Sequence, residues 1–373
     1  MTLQSTSYQK FIILLRNALN ISNELPTEVS AEEWKEIYKF AKQQALLGVV
    51  FECVKKLEGK TAPSFTMQMQ WVSATEQIRG LNKKFYAECQ RLTRLFEDNG
   101  RKTVILKGQA NSILYPDQFI RHPGDIDIYV EGGKKSVIQL LDTMGLLSKE
   151  EEELMAYHHV HLEHQDNGIV VEVHFRPSSG FYNPFRNQRL QNYLLEEVKA
   201  LFLTEKGFYV PTMKFALAMQ LAHLQRHFIE GNIGLRQITD YYILLKNSTP
   251  DDRNDIANML DKFGAKRFAG ALMYLLQVIF DLDKSLMLCT SDEKRGETLL
   301  AEVINGDEYV KQRAESKASG LANLMERKIH TLKFSTLYPS ETCWYFYYKS
   351  REFFAKLPLR IKNRSWSLQL IRK

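Results

Sequence analysis

The chain has 373 residues, of which 44% are hydrophobic, 25% charged and 11% aromatic. Those proportions exclude a disordered tail, a collagen and a disulfide-stapled miniprotein, and the length suits two or three packed units. Fifty Lys+Arg against 44 Asp+Glu give a net charge of +6, which permits phosphate-bearing ligands without demanding a nucleic acid. The four cysteines, Cys53, Cys89, Cys289 and Cys343, form no C-x-x-C pair. Scattered thiols suit a reducing compartment and point away from a disulfide framework or a cysteine-rich zinc site. The apolar run Phe11-Ile12-Ile13-Leu14-Leu15 is short for a secretory signal. The greasiest segment, Phe268 to Phe280, falls short of the ~20 residues of a bilayer span. No transmembrane segment and a cytoplasmic location are expected.

The first hundred residues read as helices. Ser30 with Glu33 three residues later is a capping signal, and Trp34, Ile37, Tyr38 and Ala41 follow at helical spacing. A long second pattern runs from about Gln68 to Glu97 and stops at Asn99-Gly100, where a helix C-cap belongs. The texture then changes. Thr103 to Leu106 and Asp125 to Val130 read as strands, and Gly132-Gly133 breaks the second before a helical run from Val137 to Met144. His161 to Glu163 and Ile169 to Phe175 flank an Asn167-Gly168 turn and read as a hairpin. From Pro184 onward the period is helical, with no strong strand signal. The expected architecture is α+β: helices over 1–100, a small core of strands and helices over 101–183, and a larger helical region over 184–373.

Charge is uneven along this plan. Residues 322–373 hold 11 Lys+Arg and 3 Asp+Glu and enclose the aromatic run Trp344-Tyr345-Phe346-Tyr347-Tyr348. Such a stretch could face RNA, a membrane or an acidic partner. The plainer expectation is a helix docked by its aromatics, with solvated lysines outside.

The chemistry concentrates at Gly124-Asp125-Ile126-Asp127. On a strand, residues i and i+2 share a face, so Asp125 and Asp127 project together and repel unless a cation lies between them. Hard divalent ions take such oxygens, usually with those of a substrate phosphate. A bare D-x-D also arises as two solvated carboxylates on an edge strand, so its neighbours decide. Lys107-Gly108 closes the preceding strand where a helix opens, a place for phosphate. Arg121 precedes Asp125 by four residues and could reach a triphosphate or an acidic neighbour. Gly124 leaves room for a bulky ligand. Glu172 lies on the later apolar strand with His174 on the same face.

Lys107-Gly108, Leu114-Tyr115-Pro116-Asp117, Arg121, Gly124-Asp125-Ile126-Asp127 and Glu172-Val173-His174 together resemble the polymerase-beta type of nucleotidyltransferase. The likeness is closest to a largely uncharacterised bacterial family with a K-G…L-Y-P…R…G-D-I-D signature and a later acidic-x-His strand. It covers about residues 101–176. The resemblance implies a nucleotidyltransferase-like mixed β-sheet core in which Asp125, Asp127 and Glu172 are catalytic and hold two Mg²⁺ ions, with Mn²⁺ as an alternative. It also implies that Lys107, Gly108, Arg121, Gly124 and His174 contact the nucleotide. Two departures stand out: Gly108-Gln109 replaces the superfamily's Gly-Ser, and Glu172 replaces its usual third Asp.

The expected activity is Mg²⁺-dependent transfer of a nucleoside monophosphate from an NTP, such as ATP, to a hydroxyl. The acceptor is a small molecule, sugar, protein or RNA. The alternatives are a catalytically weak nucleotide-binding or interaction module on the same scaffold, and a metal-dependent phosphoester hydrolase. Neutralising Asp125 or Asp127 is expected to leave stability unchanged or raise it, because repulsion is relieved. The run His158-His159-Val160-His161 with His164 is expected to be a polar cleft wall or surface strand rather than a zinc site. His223 and His227 have zincin-like spacing without the following glutamate, and read as a helix–helix contact, with a helix beside the cleft that presents them to substrate as the alternative. Arg236 and Asp240, at i,i+4, read as a helix-face pair.

Overall fold

The computed structural model describes residues 5–148, 155–162, 168–315, 328–355 and 357. Three short helices open the chain: α1 (Thr6–Ala18), α2 (Ala31–Gln43) and α3 (Leu47–Val54). Helix α2 begins where the sequence places it. Ser30 accepts from the Glu33 amide, and the Glu33 carboxylate accepts from the Ser30 amide at 2.8 Å. Helix α4 (Phe65–Glu97) runs for 33 residues, about 50 Å at 1.5 Å per residue. It ends just before Gly100, whose φ of +70° suits glycine.

Strand β1 (Thr103–Ile105) leads through Gly108 into the single turn α5 (Gln109–Ser112), and β2 (Ile126–Val130) precedes helix α6 (Gly133–Thr143). Strands β3 (His159–His161) and β4 (Val171–His174) complete a mixed four-stranded sheet of order β1-β2-β4-β3. Strand β4 lies parallel to β2, while the β1–β2 and β3–β4 pairs are antiparallel. The fold is α+β. The expected hairpin is present as β3 and β4; its turn at 163–167 lies outside the described residues. Every residue of β2 is buried, so both faces of the sheet are covered.

Eight further elements follow: α7 (Pro184–Glu197), β5 (Leu201–Leu203), β6 (Tyr209–Pro211), α8 (Met213–Glu230), α9 (Leu235–Asn247), α10 (Pro250–Phe263), α11 (Lys266–Phe280) and α12 (Glu293–Glu315). The β5–β6 hairpin corrects the reading that no strand follows Pro184. Three-residue strands are too short to show alternation, and Leu201, Phe202 and Leu203 form an unbroken apolar run. The hairpin carries the fully buried Phe208, whose ring lies 5.9 Å from that of Tyr86 on α4. One core gathers residues of α1–α3 with those of α8–α12, and a second surrounds the sheet, α6 and the later half of α4. Helix α11 is buried within the first core. Among the described residues no helix is long and apolar enough to cross a membrane.

Helix α13 (Pro339–Ala355) carries the aromatic run. Tyr345 is buried and Trp344, Phe346 and Tyr348 pack against the first core, while Tyr347 and Phe354 are exposed. The Tyr182 ring meets Tyr345 at 5.2 Å and Tyr348 at 5.4 Å, with the Arg226 guanidinium 4.5 Å above Tyr182. All six basic residues after α13 lie outside the described residues.

An ion pair fastens α13 to α8. Glu230 accepts from Tyr182 and lies 3.1 Å from Lys349. Burial alone would raise its carboxyl, but Lys349, Arg226 and Tyr182 outweigh that and lower it from 4.5 to about 2. Unfolded chains therefore take up this proton first. The stabilisation is present above about pH 4.5 and is lost as pH falls towards about 2. Glu230→Gln should flatten the acid limb of the melting temperature against pH in that window. Superimposable wild-type and variant profiles would show that the pair contributes nothing.

Candidate functional site

Sheet register assembles the site. Asp127 on β2 lies beside Glu172 on β4, and Glu172 lies opposite His161 on β3; one step along, His174 faces His159. Because alternate residues share a face, Asp127, Glu172, His174, His159 and His161 converge on one side of the sheet. Asp125 stands immediately before β2, at the rim.

Contacts among these groups are close. Lys107 Nζ lies 2.7 Å from Asp127 Oδ2 and 3.6 Å from Asp125 Oδ1. His174 Nε2 lies 3.0 Å from Asp127 Oδ1 and 3.5 Å from Glu172 Oε2. On the other side of Glu172, His159 Nδ1 approaches to 3.1 Å and His161 Nε2 to 3.9 Å. The Asp127 side chain is 2% exposed and that of Asp125 40% exposed. The two aspartates thus occupy different environments although they sit two residues apart.

Charge follows from this packing. Burial would neutralise Lys107, but Asp127, Asp125 and Glu172 outweigh it and keep the ammonium charged. Burial likewise opposes ionisation of Asp127, yet Lys107 and His174 hold its carboxyl well below the usual range. His174 is disfavoured as a cation by burial but raised to about 9 by Asp127 and Glu172. Glu172 is lowered despite burial, chiefly by His174. Asp125 shifts the other way: the negative charge of Asp127 beside it raises its carboxyl, with burial adding to the effect. Two cations serve three carboxylates, and Asp125 is the one left under repulsion. An oxygen-rich corner of this kind fits a divalent ion.

Gly108 holds φ +62° and ψ −103° at the start of α5, a conformation that favours glycine. Its carbonyl accepts from the amides of Asn111 and Ser112. A Cβ at Gly124 would lie 3.7 Å from the Arg236 guanidinium, so that glycine keeps the cleft floor low.

Arg121 is placed by an acidic neighbour. It is buried, and its Nε and Nη2 each donate to Asp240 at 2.7 Å, while the Tyr115 hydroxyl donates to Asp240 at 2.7 Å. This corrects the expected Arg236–Asp240 pair, because Arg121, from the segment between α5 and β2, takes both Asp240 oxygens. Arg236 instead donates to the His122 carbonyl at 3.1 Å. Burial, followed by repulsion from Arg121, disfavours its charge. With Lys107, Gly108, Asp125, Gln220 and His223, it lines a cleft with about 460 Å³ of empty space.

Helix α8 supplies the opposite wall. His223 borders the cleft and its ring lies 4.2 Å from that of His227. Both are pushed below the usual imidazole range by burial first, with Lys107 adding repulsion. His223 therefore borders the cleft beside Lys107 and Asp125, which favours the cleft-side reading of the pair over a helix–helix contact. Sequence reasoning also passed over Gln220 and Arg236 as site residues. Gln220, His223 and His227 recur at helical spacing along this largely buried helix, and that polar stripe was the available signal.

The profile of an uncharacterised nucleotidyltransferase family matches residues 30–281, about two thirds of the sequence. The chain belongs to this family. That nucleotidyltransferase match contains Lys107, Asp125, Asp127, Glu172, His223 and Arg236 together. No protein of curated function matches the sequence. Among solved structures, an antigenic nucleotidyltransferase-like protein from Paracoccidioides brasiliensis is 16% identical with a TM-score of 0.36; the match covers 57% of this chain and 96% of that one.

Proposed function

We propose that this nucleotidyltransferase-family chain transfers a nucleoside monophosphate from an NTP to a hydroxyl of an acceptor. The observation that carries the reading is the convergence of Asp125, Asp127 and Glu172 beside a cleft that also presents Lys107 and Arg236. Asp125, Asp127 and Glu172 are the residues to hold Mg²⁺, or Mn²⁺ in its place. A divalent ion held there would polarise phosphate oxygens and steady the leaving pyrophosphate. Lys107 and Arg236, which both line the cleft, bring cations to the triphosphate. Gly108 and Gly124 keep the backbone clear of it. Glu172, kept ionised by His174, accepts the proton as the acceptor oxygen bonds to the α-phosphorus and the bond to pyrophosphate breaks.

A second reading is a nucleotide-binding module of weak activity. One observation favours it: Lys107 and His174 already neutralise Asp127 in the position a cation would take. Calorimetry with ATP, GTP, CTP and UTP, with and without Mg²⁺, separates the outcomes together with pyrophosphate release. The proposal expects Mg²⁺-dependent binding of at least one NTP. Arg236→Gln should weaken triphosphate binding by about 1.5–3 kcal/mol, the worth of one charge-assisted contact, and leave nucleoside binding unchanged. Equal loss for nucleoside and triphosphate would place Arg236 away from the phosphates. Binding without pyrophosphate release from any NTP, across an acceptor panel of sugars, nucleosides, RNA and protein, would favour the module.

A further inference from the structure

We propose that His159, His161 and Glu172 form a transition-metal site, distinct in chemistry from an all-oxygen Mg²⁺ position. Its place on the acceptor side of the cleft rests on the transfer reading; the donor set does not. Strand geometry builds it: His159 and His161 are i,i+2 on β3 and share a face, and Glu172 on β4 is registered opposite His161. His159 Nδ1 lies 3.1 Å from Glu172 Oε2 and His161 Nε2 3.9 Å from Oε1. One ligand atom from each of the three residues falls within 4.8 Å of the others. A tetrahedral ion with bonds of about 2.0–2.1 Å needs ligand atoms about 3.3 Å apart. Small rotations of the two rings therefore close the set.

The chemistry selects the ion. Two imidazoles and one carboxylate are the facial donor set of divalent zinc, iron, cobalt and manganese, whereas Mg²⁺ prefers oxygen. Asp127 contacts Lys107 and His174, and among the described residues no candidate metal group joins it to His159 or His161. The cluster therefore splits in two. Asp125 borders the cleft with Asp127 buried beside it, and the imidazole pair flanks the far side of Glu172. His174 Nε2 contacts Asp127 and Glu172 together, so it joins the two halves.

The test uses the full-length, tag-free protein stripped with a chelator and titrated with Co²⁺, Zn²⁺ or Mg²⁺ alone, without nucleotide. The expected result is one Co²⁺ per chain with visible d–d absorption, displaced by Zn²⁺, and affinity for Mg²⁺ at least about a hundredfold weaker. His161→Asn should reduce Co²⁺ affinity at least about tenfold and change the spectrum. His159→Gln provides a second variant should the first disturb β3, with circular dichroism confirming the fold of each. Asp125→Asn should leave Co²⁺ affinity within about threefold. Co²⁺ bound no more tightly than Mg²⁺, or bound equally by wild type and both folded histidine variants, overturns the site. If Mg²⁺–NTP binding is absent while Co²⁺ binds as described, the transfer reading falls and the metal site stands. The opposite pair of results removes the metal site alone.

Discussion

Asp127→Asn is expected to lower the melting temperature by roughly 5 °C or more, whereas Asp125→Asn leaves it unchanged or raises it. The expectation that both substitutions are harmless treats the aspartates as equivalent, and the structure separates them. Asp127 is 2% exposed and lies between Lys107 at 2.7 Å and His174 at 3.0 Å. Its neutralisation leaves a half-buried ammonium and a buried imidazolium short of their counter-charge. Removing one member of a buried ion pair costs about 3–5 kcal/mol, reduced here because Asn keeps one acceptor oxygen. Asp125 is 40% exposed and under repulsion from Asp127, so its neutralisation removes an unfavourable term. Both variants should still lose Mg²⁺-dependent NTP binding. Thermal melts beside calorimetry give the comparison. Equal melting temperatures for the two variants would show that the Lys107–Asp127–His174 contacts add nothing to the fold.

The difference between the two aspartates marks what a sequence shows. Alternation made Asp125-Ile126-Asp127 legible as one face of a strand, and Glu172 with His174 legible as another. Ser30 and Glu33 were legible because a capping box is local. The partner of each charged group was not. Arg121 and Asp240 are 119 positions apart, and the i,i+4 rule offered Asp240 a nearer cation in Arg236. That rule describes a solvated helix face, but Asp240 is buried against the segment between α5 and β2, where the bidentate guanidinium of Arg121 satisfies both its oxygens. The surroundings of His223 and His227 were hidden for a related reason. Spacing alone shows which residues share a helix face, and only the packing of α8 over Lys107 shows what that face covers. The β5–β6 hairpin escaped because three residues carry no measurable period.

Asp240→Ala should destabilise the protein by about 3–5 kcal/mol, among the largest effects expected of any single substitution outside the apolar core. Arg121 and Asp240 expose only 7% and 6% of their side chains. Loss of the carboxylate strands the Arg121 guanidinium and also deprives the buried Tyr115 hydroxyl of its acceptor. Burial disfavours the Arg121 charge and Asp240 outweighs that cost; a guanidinium stays protonated even without its partner, so the single variant keeps a cation with no counter-charge. Replacing the whole unit behaves differently. Arg121→Met with Asp240→Leu and Tyr115→Phe removes every polar group of the triad together, and apolar replacement of a buried ion pair is often neutral or stabilising. The triple variant should recover most of the melting temperature lost by Asp240→Ala. Its nucleotide affinity then tests the role of Arg121. If Arg121 acts through Asp240 by fastening α9 to the segment before β2, the refolded triple variant binds Mg²⁺–NTP within about threefold of wild type. A loss of tenfold or more, about 1.4 kcal/mol, in a triple variant of normal melting temperature would put the Arg121 guanidinium on the triphosphate.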